Sequence, residues 1–515
     1  MTTTHEPVRA RHARATTGHA APRDGWIWVL VVVTGAVHLV LPAMGASFDA
    51  GVLKVTSSAS DQWQLLDLRL LRGDLLGSLW ALHMQPPLYN LLIGLLVRLP
   101  EGAQAPVASL LWMGFAMIIA VATYATMVLL AVPRRAAFVV TLLLVVLNPA
   151  TILYANWLMY AAPTAALVAL FGALATRALM RPTVGTMAAF ASAGVVLALF
   201  NSLFQPVVLL VVLALVVLCL PSARRATLVG SAAPVVVLLL WLLHMTVSFG
   251  SPVTSSWLGM NLARTTTLPA PTATITHLVA ERTLTPLALE RPFESLAILG
   301  VPPAHVGPAA ETQVTKANGA TNLNNRAYLD VAHRYLSNDL AFIAAEPGRY
   351  VAVVAKSSAL WFVPSEQYFT LNEMQHGALG HYSRLYEATL GLQPTSDSKA
   401  VALAAFRHLG PKPSEVSWMA VLVFVVGLLG SPVLIVRWWR RARPRAVALL
   451  VLEVIVVTWL ASTSLIEFAE NNRFRFELST LPLTLATVVA TVALRRAHEV
   501  RSGTAGSLAP AQGTP

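Results

Sequence analysis

Residues Leu110–Val132 read LLWMGFAMIIAVATYATMVLLAV, and Pro133-Arg134-Arg135 follow at once. The run holds no charged side chain and is long enough, as a helix, to cross the roughly 30 Å of hydrocarbon in a bilayer. The two arginines at its end mark the cytoplasmic side by the positive-inside bias. Working outward, comparable runs stand at Trp26–Leu41, Ala136–Leu147, Thr183–Phe200, Val207–Leu220, Leu228–Leu243, Val416–Val436 and Val447–Leu460. Several are of buried-helix length and need flanking residues to span. The whole chain of 515 residues is 56% hydrophobic and 12% charged, with a mean hydropathy of +0.65, more apolar than any soluble core of this size requires. The expected fold is an all-α polytopic membrane protein with about 10–11 membrane segments, its extracytoplasmic loops forming a small, mostly helical region.

The formal charge of +12 does not point to nucleic acid. The basic residues cluster at the ends of apolar runs, at Arg134/Arg135, Arg177/Arg181, Arg224/Arg225, Arg437/Arg440/Arg441/Arg443/Arg445 and Arg495/Arg496/Arg501, with no solvated basic face interleaved with aromatics. Cys219 is the single cysteine and lies inside an apolar run, so no intrachain disulfide is available and a thiolate metal site has no support. A basic tail carrying Arg9, Arg11, Arg14 and Arg23 precedes Trp26–Leu41, which reads as a signal anchor; the long tail and long run count against a cleaved signal peptide.

Basic tails at both ends require an even number of crossings if both termini are cytoplasmic, whereas about eleven apolar segments are present. Leu88–Leu99, short and preceded by two prolines, is the segment expected not to cross fully. The organisation that follows is a disordered cytoplasmic tail over 1–24, an N-terminal transmembrane core over 25–247 that includes a first extracytoplasmic loop 44–87, a large extracytoplasmic loop over 248–415, C-terminal transmembrane helices over 416–496 and a second disordered tail over 497–515. Within the large loop, Asn325–Ala345 has helical spacing of its apolar residues, and Tyr350–Phe362, with Lys356 and Trp361, reads as a helix lying at the membrane surface. No internal repeat is evident, which weakens an inverted-repeat transporter reading.

The first loop carries Asp49, Asp61, Asp67 and Asp74 and ends in His83-Met84-Gln85-Pro86-Pro87-Leu88-Tyr89-Asn90. A carboxylate at a membrane boundary can accept a proton from a hydroxyl, while an imidazole or amide orients a polar head group. The plainer role of each Asp is to cap a helix, and the plainer role of His83 is an interfacial side chain beside a proline-fixed helix start.

This junction resembles that of the GT-C membrane glycosyltransferases of the mannosyltransferase and aminoarabinose-transferase type. Three further stretches are similar: Asn148-Pro149-Ala150-Thr151-Ile152-Leu153-Tyr154 with Asn156, Trp157 and Tyr160; Ser255-Ser256-Trp257-Leu258-Gly259-Met260-Asn261; and Glu467-Phe468-Ala469-Glu470-Asn471-Asn472-Arg473-Phe474-Arg475-Phe476 with Pro482 after it. The resemblance implies a multi-pass cell-membrane enzyme with an extracytoplasmic site that moves a sugar from a polyprenyl-phosphate donor to an envelope glycan, lipid or protein acceptor, with inversion. It implies a first-loop base: Asp61, followed by Trp63 and later Gly73-Asp74, has the best-matching spacing, with Asp67 and Asp49 as rivals, although none has the acidic neighbour common in the family. Donor phosphate contacts fall to Arg473 and Arg475, with His83, Gln85 and Lys356; sugar or acceptor contacts fall to Trp63, Tyr89, Trp257, Asn261, Glu467, Glu470 and Asn471. A structural ion-pair cluster is the competing reading of Arg473 and Arg475, and snorkelling that of Lys356. Glu453, inside an apolar run, suits either pairing with Arg445, a few residues away, or a neutral contact within the bundle, and is not assigned to catalysis. No cofactor is required by these motifs; a divalent cation would need several loop carboxylates brought together. Two other functions stay open: carriage of a lipid-linked saccharide without bond making, and a non-catalytic scaffold for envelope assembly.

Overall fold

The computed structural model describes residues 24–41, 45, 47–54, 62–368, 371, 373–392 and 410–506. Among them there is no strand, only isolated bridges between Asp49 and Trp157 and between Thr315 and Thr321. In chain order the helices are α1 (Gly25–Val40), α2 (Leu68–Gly73), α3 (Leu75–Trp80), α4 (Pro87–Leu96), α5 (Glu101–Leu129), α6 (Arg134–Thr141), α7 (Pro149–Ala155), α8 (Ala161–Met180), α9 (Val184–Phe200), α10 (Pro206–Cys219), α11 (Arg224–Phe249) and α12 (Leu258–Leu262). They continue as α13 (Thr272–Ala280), α14 (Ala309–Thr312), α15 (Ala327–Ala345), α16 (Pro347–Leu360), α17 (Glu373–Thr389), α18 (Trp418–Arg441), α19 (Arg443–Ile466), α20 (Asn471–Leu478) and α21 (Thr480–Gly506).

Local chemistry sets many of these boundaries. The Asp24 carboxylate accepts the Trp26 amide to start α1, Thr183 and Thr186 form a reciprocal capping box on α9, and Ser417 caps α18. α11 stops at Gly250, whose φ of +75° is the left-handed conformation glycine adopts without a Cβ penalty. Between α6 and α7 the chain widens into a π turn over Leu142–Val146 and then bends by 59°. Pro149 causes the bend: it disfavours helical backbone at Asn148, whose side chain instead caps α7 through the Ala150 amide at 2.9 Å.

Six helical segments are long and apolar enough to cross a membrane: Glu101–Leu129, Ala161–Met180, Pro221–Phe249, Trp418–Arg441, Arg443–Ile466 and Thr480–Ser502. The chain is therefore an all-α polytopic membrane protein. The bent pair Arg134–Val146 and Pro149–Ala155 brings the number to seven if it counts as one broken span, and α1, α4, α9 and α10 are apolar but shorter. The nine apolar segments named from the sequence lie in helices, Ala161–Met180 and Thr480–Ser502 join them, and fewer than expected have full crossing length. α4, within the segment expected not to cross, rises only about 15 Å over its ten residues.

The alanine-rich α8 is central, packed by α5, α9, α19, α20 and α21. Small residues let neighbouring backbones approach, which is how apolar helices gain contact area when lipid tails compete for the same surfaces. A Cβ on Gly230 of α11 would lie 2.5 Å from the Val184 carbonyl and 2.9 Å from the Ala188 amide of α9. Gly430 of α18 similarly receives Val489 of α21. Beyond the bundle, residues 250–360 build a smaller helical region with its own buried cluster of Ile275, Leu278, Leu284, Ala288 and Phe342. The expected helices there form as α15 and α16. Glu453 does not pair with Arg445: eight residues along α19 separate them by about 12 Å, and no ion pair joins them among the described residues.

G230V is expected to destabilise the chain by about 1–3 kcal/mol through overpacking between α9 and α11. A chemical or thermal unfolding midpoint in detergent equal to that of the unaltered chain would contradict this close approach.

Candidate functional site

A cleft enclosing about 850 Å³, its open mouth included, lies where the first loop, the start of α4, the end of α9, α12 and the segment before α20 converge. Its floor is held by a clasp between the first and large loops. Asn324 Oδ1 accepts the backbone amides of His83 at 2.9 Å and Met84 at 3.2 Å, the Ser256 amide donates to the His83 carbonyl at 3.0 Å, and the Ser255 hydroxyl donates to the Met84 carbonyl at 2.6 Å. The His83 ring is fully buried, with Nδ1 2.9 Å from Ser256 Oγ and Nε2 3.0 Å from the Asn324 carbonyl. Burial pushes its pKa down to about 4, so the ring is neutral at physiological pH. His83 is therefore a joint between loops and not the expected donor-binding group; Gln85, two residues on, does line the cleft.

Asn90 pins the first loop from the other side, accepting the Leu66 amide and donating to the Gln64 carbonyl, both at 2.9 Å. The Tyr89 hydroxyl donates to Gln62 Oε1 at 2.9 Å, and Gln62 Nε2 donates to the Leu158 carbonyl at 3.0 Å. Trp63 stacks on Phe293, whose ring also meets the edge of Trp257, each pair with centroids 5.0 Å apart. Trp63, Tyr89, Trp257 and Asn261 accordingly line one cleft.

Its charged wall is built from two segments far apart in sequence. Arg264 Nη1 contacts Glu467 Oε2 at 2.7 Å and Glu470 Oε1 at 3.2 Å, and its Nη2 donates to the Phe468 carbonyl at 2.7 Å. Glu470 also bonds Arg473, which in turn reaches Glu477 at 3.2 Å. The Arg473 guanidinium lies over the rings of Phe474 at 4.4 Å, Tyr160 at 4.7 Å and Tyr368 at 5.4 Å. The turn between these carboxylates places Ala469 at φ +78°, an uncommon conformation for a residue with a Cβ, and thereby brings both acids to Arg264. Burial, with Glu470 beside it, raises Glu467 to about 7 against the pull of Arg264. Burial acts the same way on Glu470, but Arg473 and Arg264 outweigh it, so its pKa is lowered and it stays ionised.

Several expected residues fall elsewhere. Both oxygens of Asp67 are used structurally, Oδ1 accepting the Arg69 amide at 2.8 Å to cap α2 and Oδ2 accepting the Ala317 amide at 2.6 Å. Asp49 accepts the Gly51 amide at 2.9 Å within its own turn. Neither lines the cleft, and Asp61 lies outside the described residues. Lys356 is exposed on α16, away from the cleft. Asn471 is fully buried and donates to Ser357 Oγ at 2.9 Å and the Thr463 carbonyl at 3.2 Å, tying α20 to α16 and α19. Arg475 is separated from Arg473 because residues two apart on a helix face opposite sides; it borders a different cavity.

Arg264, Asn201 and Gln205 line the cleft without having been singled out in sequence. Among the described residues no group of three or more His, Cys, Asp or Glu stands together as a metal site; Glu467 and Glu470 share a guanidinium instead. No family model, curated protein or solved structure matches this chain.

Because Glu467 has its pKa raised from 4.5 to about 7, the folded chain retains a proton that the unfolded chain releases between those values, and this group's contribution to stability falls as pH rises through that window. The unfolding temperature of the unaltered chain relative to E467Q is therefore expected to drop from about pH 5 to about pH 7.5. A difference independent of pH would show that Glu467 titrates normally.

Proposed function

We propose that this chain is a membrane glycosyltransferase that moves a sugar from a polyprenyl-phosphate donor to an acceptor hydroxyl, with inversion, in a cleft facing the extracytoplasmic side. The observation that carries the reading is the composition of the cleft: Gln64, Gln85, Gln205 and Asn261 beside Trp63, Tyr160 and Trp257, next to a buried Arg–Glu centre. Carboxamides offer a sugar both donors and acceptors, and aromatic faces suit the apolar side of a pyranose ring.

In this reading the phosphate contacts pass from Arg473 and Arg475 to Arg264 and Arg473, the two guanidiniums that line the same cleft. They would hold the leaving polyprenyl phosphate as negative charge develops on it. The acceptor oxygen forms a bond to the anomeric carbon, the bond from that carbon to the phosphate oxygen breaks, and its electron pair leaves with the phosphate. The hydroxyl proton passes to a carboxylate. Two groups suit this role: Asp61, adjacent in sequence to Gln62 and Trp63, and Glu467, whose pKa near 7 matches general-base work at neutral pH.

Full-length protein in liposomes with a panel of polyprenyl-phosphate sugars tests this directly. Transfer is expected, with kcat lowered about 10²–10⁴-fold in whichever of D61N or E467Q removes the base. R264Q is expected to weaken donor use most. Binding or movement of the lipid-linked sugar without bond formation would identify a carrier; absence of both transfer and lipid binding would leave the scaffold function.

A further inference from the structure

A second cavity, about 730 Å³, lies on the opposite side of α20 from the cleft and is bordered by α7, α17, the start of α18 and the start of α21. Its polar side carries Glu366, Glu387 and Arg475; its apolar side includes Leu144, Val423, Phe424 and Leu483. Glu366 and Glu387 are only 4% and 5% exposed. The Glu366 and Glu387 carboxyl groups hydrogen-bond each other, while Glu366 Oε1, Glu387 Oε2 and Arg475 Nε are buried and have no further partner among the described residues. Arg475 is held from behind, its Nη2 donating to the Val363 carbonyl at 3.1 Å and Ser365 Oγ at 3.0 Å.

A buried acceptor left without a donor costs about 1–3 kcal/mol, more when charged, and this cavity concentrates two such acceptors and one cationic donor. A simple cation would satisfy only the carboxylates, and an anion only the guanidinium. A zwitterion with an ammonium at one end and a phosphate at the other satisfies both, and a primary ammonium supplies three donors to the two acids. The apolar side sets the source of that zwitterion: Val423 and Phe424 belong to α18 and Leu483 to α21, both of membrane-crossing length.

We propose that this cavity binds the phosphoethanolamine head of a membrane phospholipid, its ammonium between Glu366 and Glu387, its phosphate on Arg475 and its acyl chains against the apolar side. Burial raises Glu366, and raises Glu387 to about 9, so the unoccupied pair keeps a proton that the bound ammonium replaces. The site is separate from the glycosyl-transfer cleft and does not depend on that reading.

The test uses the full chain in nanodiscs containing equal phosphatidylethanolamine, phosphatidylcholine and phosphatidylglycerol, with retained lipid counted by native mass spectrometry. Retention of the ethanolamine lipid about tenfold above the choline lipid is expected, because a trimethylated ammonium has no N–H to give the carboxylates. E366Q/E387Q, checked for an unchanged unfolding profile, is expected to abolish that preference. The comparison among lipids on the unaltered chain stands even if that variant does not fold. Equal retention of the three lipids, preference for phosphatidylglycerol, or a preference that survives in a folded E366Q/E387Q variant would overturn the proposal. Stabilisation by free phosphoethanolamine equal to that by the lipid would overturn the assignment to a membrane source.

Discussion

Glu470 is gripped by two guanidiniums, Arg264 from the large loop and Arg473 from α20, and the shape of the cleft depends on that grip. Its three members come from segments about two hundred residues apart in sequence, and deleting one partner of such a buried pair costs about 3–5 kcal/mol because the other charge is stranded. With Tyr368 also donating to Glu470 at 3.2 Å, the loop after α15 and α16, the turn after α19 and the loop after α12 are fixed to one another. The aromatic rings around Arg473 replace part of the water it has lost. A site whose polar groups are fixed before anything binds loses less on binding than one that must be assembled.

The clasp at His83 serves the same end by neutral bonds. A fully buried imidazole that accepts and donates to fixed partners rigidifies the step into α4, and Pro86 and Pro87 restrict the backbone immediately afterwards. Gln85 is thereby delivered to the cleft while His83 is withdrawn from it. Two residues of one short motif thus divide into a joint and a lining group, a division that depends on which way the backbone turns and not on residue type.

Helix content and most of the apolar segments are legible in the sequence because uninterrupted apolar runs need no tertiary information to be recognised, whereas the central α8, broken by Pro163, Thr164 and Thr176, is not among the runs that stand out. The roles of residues on short motifs are less legible. Trp63, Tyr89, Trp257 and Asn261 reach the cleft, but Asp49 satisfies a backbone amide in its own loop, and Asp67 caps α2 and accepts the Ala317 amide of the large loop. Arg264 escaped notice because its partners Glu467 and Glu470 are distant in the chain, and only the fold brings an isolated arginine to two acids.

Arg473 and Arg475 show the limit most sharply. Read as neighbours in sequence they suggest one bidentate clamp, yet on α20 a rotation of about 200° between them turns one toward the aromatic-lined cleft and the other toward Glu366 and Glu387. Only two turns of helix, with Phe474 and Phe476 among its buried side chains, stand between two polar cavities. The two arginines thus share one short backbone while lining different cavities. α20 is held at both ends, by Asn471 to α16 and α19 and by Glu477 to Asn201 at 3.1 Å, so that each arginine starts from a backbone fixed by bonds outside either cavity.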